Sequence, residues 1–187
     1  NDRDSLLMWI NSEAVYLGSR KIMPNFNVTG TAHQNKINLS ADFKDRDNEH
    51  SGLLAMSAEF SRNPKTRRRS MHIDISPSYF TTKNNQWRLY AGGVDIDSSR
   101  ISINQLHVTR LEQRLVIDGV ASRNRGDSIR LTLDNFDLSP FSAFISKFGY
   151  DISALSNGYA TVRSALHNPQ IDARIDLTDI SVNGLEA

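Results

Sequence analysis

Apolar and polar residues alternate along most of the chain. Positions 37–43 show the pattern clearly, with Ile37, Leu39, Ala41 and Phe43 separated by polar residues. The same period of two returns at 54–60, 71–75, 94–96, 101–103, 115–121, 129–133 and 171–177. Because successive side chains of a β-strand point to opposite faces, each segment predicts a strand with one apolar and one polar face. This pattern is typical of an antiparallel sheet that is wetted on one side.

Short polar segments separate these predicted strands. They lie at 45–48, 62–64, 83–85 and 123–127, and they are rich in Asn, Asp and Arg. Such segments between short strands predict a meander of hairpins. We find no composition shift that marks a domain boundary. The prediction for residues 1–187 is therefore a single all-β segment, an antiparallel meander curled into a trough with an apolar interior.

Two segments depart from simple alternation. Residues 5–18 fit either a helix or two strands, and strands are favoured because the segment contains Trp9, Ile10 and Val15. Ser139 followed by Pro140 is a typical helix start, and aromatic residues with helical spacing follow it. The sequence therefore predicts one short helix at about 140–148.

Composition and charge narrow the classes of function. The chain has 22 basic and 21 acidic residues, for a formal charge of +1, so it offers no global electrostatic case for binding nucleic acid. It has no cysteine, which excludes disulfides and thiolate chemistry. The early apolar run at 6–10 is too short to span a bilayer. The chain begins with Asn1, and we expect it to be an internal piece of a larger protein.

Candidate catalytic groups are sparse. None of the five histidines has metal-ligand spacing to another histidine or an evident nucleophile beside it. Asp45, Asp47 and Glu49 have the alternate spacing of a calcium loop but lack its glycine and closing glutamate. We therefore predict a protein that is not an enzyme and that needs no metal or other cofactor.

One basic cluster stands out at 67–69, where three arginines follow one another. Such a cluster can contact a phosphate or a lipid headgroup. It can also be a solvated turn, or an edge strand guarded by charge. On sequence alone, a solvated turn or a charged edge strand is favoured over contact with a phosphate or headgroup.

The second half of the chain carries a family resemblance. The segment from Ile129 to Phe141, the stretch from Ile152 to Ala160, and the closing stretch from Ala165 to Gly184 follow one another in an order that resembles the repeat of TamB-type envelope proteins, within the AsmA-like group. The strand pair at 101–108 and 115–119 is similar to the pair that precedes this repeat. The resemblance is clear over about 101–187, and Ala154 and Ala165 stand where the family usually has glycine.

The resemblance implies a long periplasmic β-protein that an N-terminal transmembrane helix anchors in the inner membrane. Its body would be a curled sheet whose apolar lining carries lipids towards the outer membrane. An outer-membrane β-barrel partner, in protein assembly or secretion, is a further implication. The family supplies no catalytic residues, which agrees with the sparse candidate catalytic groups of this sequence.

We predict that the partners of the chain are lipid acyl chains, held in a groove by apolar side chains that offer a non-directional surface. The candidate groove residues are Ile101, Ile103, Leu115, Ile117, Leu131, Leu133, Ile171, Ile175 and Leu177. Two alternatives stay open, a glycan-binding or glycan-cleaving β module and a closed structural spacer of the cell envelope. The glycan hypothesis requires Trp87, Tyr79 and Tyr90 to line an open cleft beside carboxylates such as Asp95, whereas the spacer hypothesis requires a sealed interior.

Overall fold

The computed structural model describes residues 5–17, 20–44, 50–62, 64, 67–82, 85–139, 152–182 and 185–186. These residues form one 14-stranded sheet. Every described strand pairing is antiparallel. The strands are β1 (Ser5–Leu17), β2 (Arg20–His33), β3 (Lys36–Lys44), β4 (His50–Arg62), β5 (Arg69–Ile75), β6 (Ser78–Thr82), β7 (Asn85–Tyr90), β8 (Val94–Asp97), β9 (Arg100–Arg110), β10 (Gln113–Ser122), β11 (Ser128–Asp137), β12 (Ile152–Arg163), β13 (Gln170–Val182) and β14 (Leu185–Glu186).

The strands follow chain order across the sheet, so the predicted all-β antiparallel meander is confirmed. Its path runs from β1 through β5, then from β8 to β14, with β6 and β7 beside this path. Both β5 and β6 pair with β4, and both β7 and β8 pair with β9. β5 and β6 therefore act together as one long strand with a break in its middle, and so do β7 and β8.

Hydrogen bonds hold the first break, at residues 76–77, against β4. The Ser78 hydroxyl accepts the N–H of Ala55 at 3.0 Å and donates to the Ser76 carbonyl at 2.8 Å. The Ser76 N–H donates to the Ala55 carbonyl at 2.9 Å. The interrupted strand consequently stays in register with its neighbour.

The second break lies at residues 91–93 and is tied to β9. The Gly92 N–H donates to the Asn104 carbonyl at 2.8 Å, and the Asn104 N–H donates to the Gly93 carbonyl at 2.9 Å. Gly93 has a φ of 117°, which favours glycine. The two strands on either side of this break, β7 and β8, consequently both pair with β9.

The ladder registers divide the sheet into two faces. Residues directly opposite each other in an antiparallel pair share a face, so the ladders can be followed from strand to strand. We call the side that carries Trp87 the apolar face and the other side the polar face. The apolar face carries Met8, Leu39, Leu54, Phe80, Ile73, Val94, Ile103, Leu115, Leu131, Ala160 and Ile175.

A bulge interrupts the alternation of β9. Asn104 and Gln105 lie together opposite Asp118 of β10, since Ile103 pairs with Gly119 and Leu106 with Ile117. Gln105 has a φ of 46°, and its N–H donates to Asp118 Oδ1 at 3.0 Å. A bulge bends its strand and increases the local twist.

The same arrangement returns between β11 and β12. Asp134 and Asn135 lie opposite Asn157, and Asn135 has a φ of 44°. The Asn135 N–H donates to Asn157 Oδ1 at 2.7 Å, and Gly158 follows with a φ of 132°. At both places, an Asp or Asn side chain that precedes a glycine accepts the backbone N–H of a residue with positive φ on the preceding strand.

The hydrophobic core lies near the start of β7. Trp87, Val108, Leu133 and Phe136 are buried there, and Trp87 is fully buried. The rings of Trp87 and Phe136 meet with centroids 5.1 Å apart, although β9 and β10 separate their strands. Three strand spacings span about 14 Å in a flat sheet. Because side chains stand roughly perpendicular to a sheet, this contact requires the sheet to curl towards the apolar face.

Two predictions concern particular segments. The opening segment is extended rather than helical, as favoured on sequence, but it forms one strand, β1 (Ser5–Leu17), instead of two. The helix predicted at 140–148 lies outside the described residues.

Candidate functional site

All nine candidate groove residues lie on the apolar face. Leu115 pairs with Leu133, and Ile117 pairs with Leu131, so four of them form a compact block on β10 and β11. Ile101 and Ile103 of β9 continue this block through their partners Ala121 and Gly119 on β10. The block therefore spans three adjacent strands.

The three candidates on β13 join the same face through β12. Gly158 stands opposite both Leu133 and Ile175, and Val162 stands opposite Ile171. Leu177 pairs with Ser156, which also pairs with Phe136. The sequence alternation and the ladder registers thus assign the same side of the sheet to every candidate.

Burial of the apolar face decreases from the core towards the two lateral edges of the sheet. Leu133 is 6% exposed, whereas Ile175 is 42% and Ile171 is 71% exposed. At the other edge, β1 exposes Leu6, Met8 and Ile10 on this face. The apolar face is therefore packed at its centre and accessible at both edges.

Aromatic side chains lie close together on the apolar face near the start of β7, where the hydrophobic core is. Phe80 stacks on Trp87 with centroids 6.0 Å apart, and Gly52 stands opposite both Phe80 and Phe43. A Cβ on Gly52 would lie 2.3 Å from Cε1 of Phe43, so glycine makes room for that ring. Sequence reasoning did not identify this aromatic row, because Phe80 and Trp87 come from strands too short to show alternation.

A polar cavity of about 520 Å³ lies beside the aromatic core, where β7 begins and β9 ends. The Arg110 guanidinium lies 5.8 Å from the centroid of the Trp87 ring and donates to Asn85 Oδ1 at 2.6 Å. Arg88 and Thr109 also line the cavity. This end of the apolar face is therefore bordered by polar and cationic groups.

The polar face carries hydrogen-bonded charged groups. His72 Nδ1 lies 2.7 Å from Asp95 Oδ1, and His72 Nε2 lies 3.2 Å from Asp74 Oδ1. The hydrogen bond with Asp95, followed by that with Asp74, raises the pKa of His72, although partial desolvation opposes the shift. Arg114 forms a cross-strand ion pair with Asp134. These groups suit a solvated surface.

Two further contacts on the polar face involve aromatic rings. Tyr90 stacks on His107 with centroids 4.7 Å apart, and the Arg130 guanidinium lies 4.1 Å from the Tyr159 ring centroid. Such cross-strand pairs stabilise a sheet.

The rings named by the glycan hypothesis do not share a cleft. Trp87 is fully buried on the apolar face, whereas Tyr79 and Tyr90 are exposed on the polar face. Asp95 lies on the polar face and is bound to His72. The arrangement that this hypothesis requires is therefore not formed.

The described part of the chain contains neither a candidate metal site nor a candidate membrane-spanning helix. No group of three or more His, Cys, Asp or Glu side chains there could hold a metal ion. No helix in the same part of the chain is long and apolar enough to cross a membrane. The weak calcium-loop pattern at 45–49 lies outside the described residues.

Comparison of the chain with protein-family models, with curated proteins and with solved structures finds no match.

Proposed function

We propose that the chain is a non-catalytic segment of a TamB/AsmA-like envelope protein and that its apolar face binds lipid acyl chains. The observation that supports this most directly is the continuity of the apolar face from β1 to β13, with its packed centre and accessible edges. A closed spacer would bury its apolar side chains throughout, whereas seven large apolar side chains of this face are more than 40% exposed: Leu6, Met8, Ile10, Phe60, Ile171, Ile175 and Leu177.

The binding surface is chemically undiscriminating. Side chains such as Ile103, Ile117 and Leu131 have no polar atom that could select a headgroup. Burial of each methylene stabilises a bound chain by about 0.8 kcal/mol, so ten methylenes contribute about 8 kcal/mol before ordering costs. Modest, unselective binding of this kind suits transport along a surface better than storage.

The cellular setting is part of the same proposal. The segment works in the periplasm, in a full-length protein anchored in the inner membrane, and contributes to lipid transport between the two membranes. Assembly of outer-membrane proteins with a β-barrel partner is a second role that the resemblance supports.

A charge on the apolar face should prevent acyl-chain binding. Ile117→Asp should lower the amount of phospholipid that co-purifies with the chain at least about tenfold, because a carboxylate there must be desolvated when an acyl chain covers it. Quantitative mass spectrometry of extracted lipid measures the effect.

A neighbouring residue provides the matched control. Val116 is half-buried like Ile117 but points to the polar face, so Val116→Asp should leave bound phospholipid unchanged. Ile175→Asp repeats the test at a side chain that is 42% exposed, where a charge costs little stability. Equal amounts of phospholipid in the folded apolar-face variants and in Val116→Asp would contradict the proposal.

A further inference from the structure

The arginine triplet at 67–69 belongs to a larger basic surface that the sequence does not reveal. Arg69 begins β5, which lies between β4 and β8 inside the sheet, so the interpretation of an edge strand guarded by charge is wrong. Arg67 and Arg68 lie in the turn that precedes β5, and all three side chains are exposed. The solvated-turn interpretation describes their position correctly.

The ladders bring other turns to the same end of the sheet. Arg62 pairs with Arg69, Ser70 with Asp97, Arg100 with Ser122, and Ser128 with Arg163. The turns at 98–99 and 123–127 continue the row, and Gln170 closes it opposite Arg163. We call the described residues of 62–70, 97–100, 122–128 and 163–170 the basic end.

Positive charge is strongly concentrated at the basic end. The described residues of the basic end include eight arginines but only two carboxylates, whereas the whole chain has a formal charge of only +1. Besides the triplet, the arginines are Arg62, Arg100, Arg123, Arg125 and Arg163, and all of them are exposed. The rest of the chain must therefore carry a net negative charge.

The two carboxylates of the basic end offset only part of the charge of its eight arginines, and both accept hydrogen bonds from serines. Asp97 Oδ1 accepts the Ser99 N–H at 2.7 Å and the Ser99 hydroxyl at 2.9 Å. These hydrogen bonds, with the charge of Arg68 as a smaller cause, lower the pKa of Asp97. Asp127 accepts the Ser122 hydroxyl at 2.7 Å.

We propose that the basic end docks the protein on an anionic phospholipid surface. Guanidinium groups bind phosphate through paired hydrogen bonds, and a row of them from several turns matches a layer of headgroups. The basic end carries no Phe, Tyr or Trp among its described residues, so it lacks the stacking side chains typical of single-strand nucleic-acid sites.

The position of the basic end also fits a membrane. Trp87 lies near the start of β7 and Asp97 at the end of β8, so the aromatic core and the basic end occupy opposite ends of the same long strand. Phe60 and Ile101 lie on the apolar face beside the basic end. Docking here would bring that part of the apolar face to the lipid. Membrane docking is nevertheless independent of acyl-chain binding and can be tested separately.

The test compares binding of two triple variants to vesicles of phosphatidylcholine with phosphatidylserine. Arg67→Gln, Arg68→Gln and Arg69→Gln together should weaken binding about a hundredfold, since each arginine contributes about fivefold near an anionic surface. The control, Arg88→Gln, Arg130→Gln and Arg174→Gln, removes the same charge from exposed positions on the polar face. Its binding should fall only a few-fold.

Further arms of the experiment separate the alternatives. Binding should be weak on phosphatidylcholine alone and should decrease with salt. Unchanged binding by the triplet variant, or equal loss in both variants, would overturn the proposal. Binding of a single-stranded oligonucleotide as tightly as the anionic vesicles at the same salt would instead show a general polyanion site. Because Ile117→Asp leaves the basic end intact, its vesicle binding should be retained even where co-purified phospholipid is lost.

Discussion

Replacement of Trp87 by alanine should lower the free energy of unfolding by about 3–5 kcal/mol, the range for a fully buried large aromatic side chain. The indole packs between the Phe80 and Phe136 rings, so its removal leaves a cavity where β7 and β11 meet across the curled sheet. Urea unfolding followed by circular dichroism measures the change.

The second tryptophan of the chain is the matched control. Trp9 is 72% exposed on β1, so Trp9→Ala should change the free energy of unfolding by less than about 1 kcal/mol. Similar destabilisation by the two substitutions would show that Trp87 is not the centre of the core.

Replacement of Gly158 by alanine should strongly destabilise the sheet, although it adds only one methyl group. A Cβ there would lie 2.1 Å from the Arg174 carbonyl oxygen, which belongs to the backbone and cannot rotate away. The φ of 132° is itself unfavourable for any residue with a side chain. We expect a loss of at least about 3 kcal/mol, measured as a lower urea midpoint.

Two other glycines provide comparison variants for this prediction. Gly119 has a φ of 118° and a backbone oxygen, that of Ser128, 2.2 Å from its Cβ position, so Gly119→Ala should behave like Gly158→Ala. Gly126 lies in an open turn with its nearest neighbour atom at 3.6 Å, so Gly126→Ala should change stability by less than about 0.5 kcal/mol. A tolerated alanine at both Gly119 and Gly158 would contradict the bulge geometry.

Alternation predicts the faces of this sheet well where strands are regular. Leu115, Ile117, Leu131 and Leu133 keep a strict period of two, and the ladders place them together. The period fails at Phe136, which follows Leu133 on the same face after three residues, because the bulge at 134–135 adds a residue to β11. The signal for this bulge is the Asn157–Gly158 pair on the neighbouring strand, which local periodicity cannot detect.

The core and the basic end depend on long-range geometry. The residues that flank Trp87 in the sequence do not distinguish it from other strand positions. Only the curl of the sheet brings the Phe136 ring into contact with it. Arg62 and Arg163 are far apart along the chain, and the succession of registers from β4 to β12 puts them at the same end. Sequence analysis could therefore identify the arginine triplet but not the surface to which it belongs.

Site-specific photo-crosslinking can show whether acyl chains lie on the apolar face. A photoreactive amino acid at Leu115, Ile117 or Leu131 should crosslink to phospholipid, and one at Val116 or Thr132 should not, because their side chains point to the polar face. Mass spectrometry of the adducts gives the pattern. We expect crosslinked and uncrosslinked positions to alternate along β10 and β11. Phospholipid adducts at polar-face positions alone, or at none of the five, would contradict it.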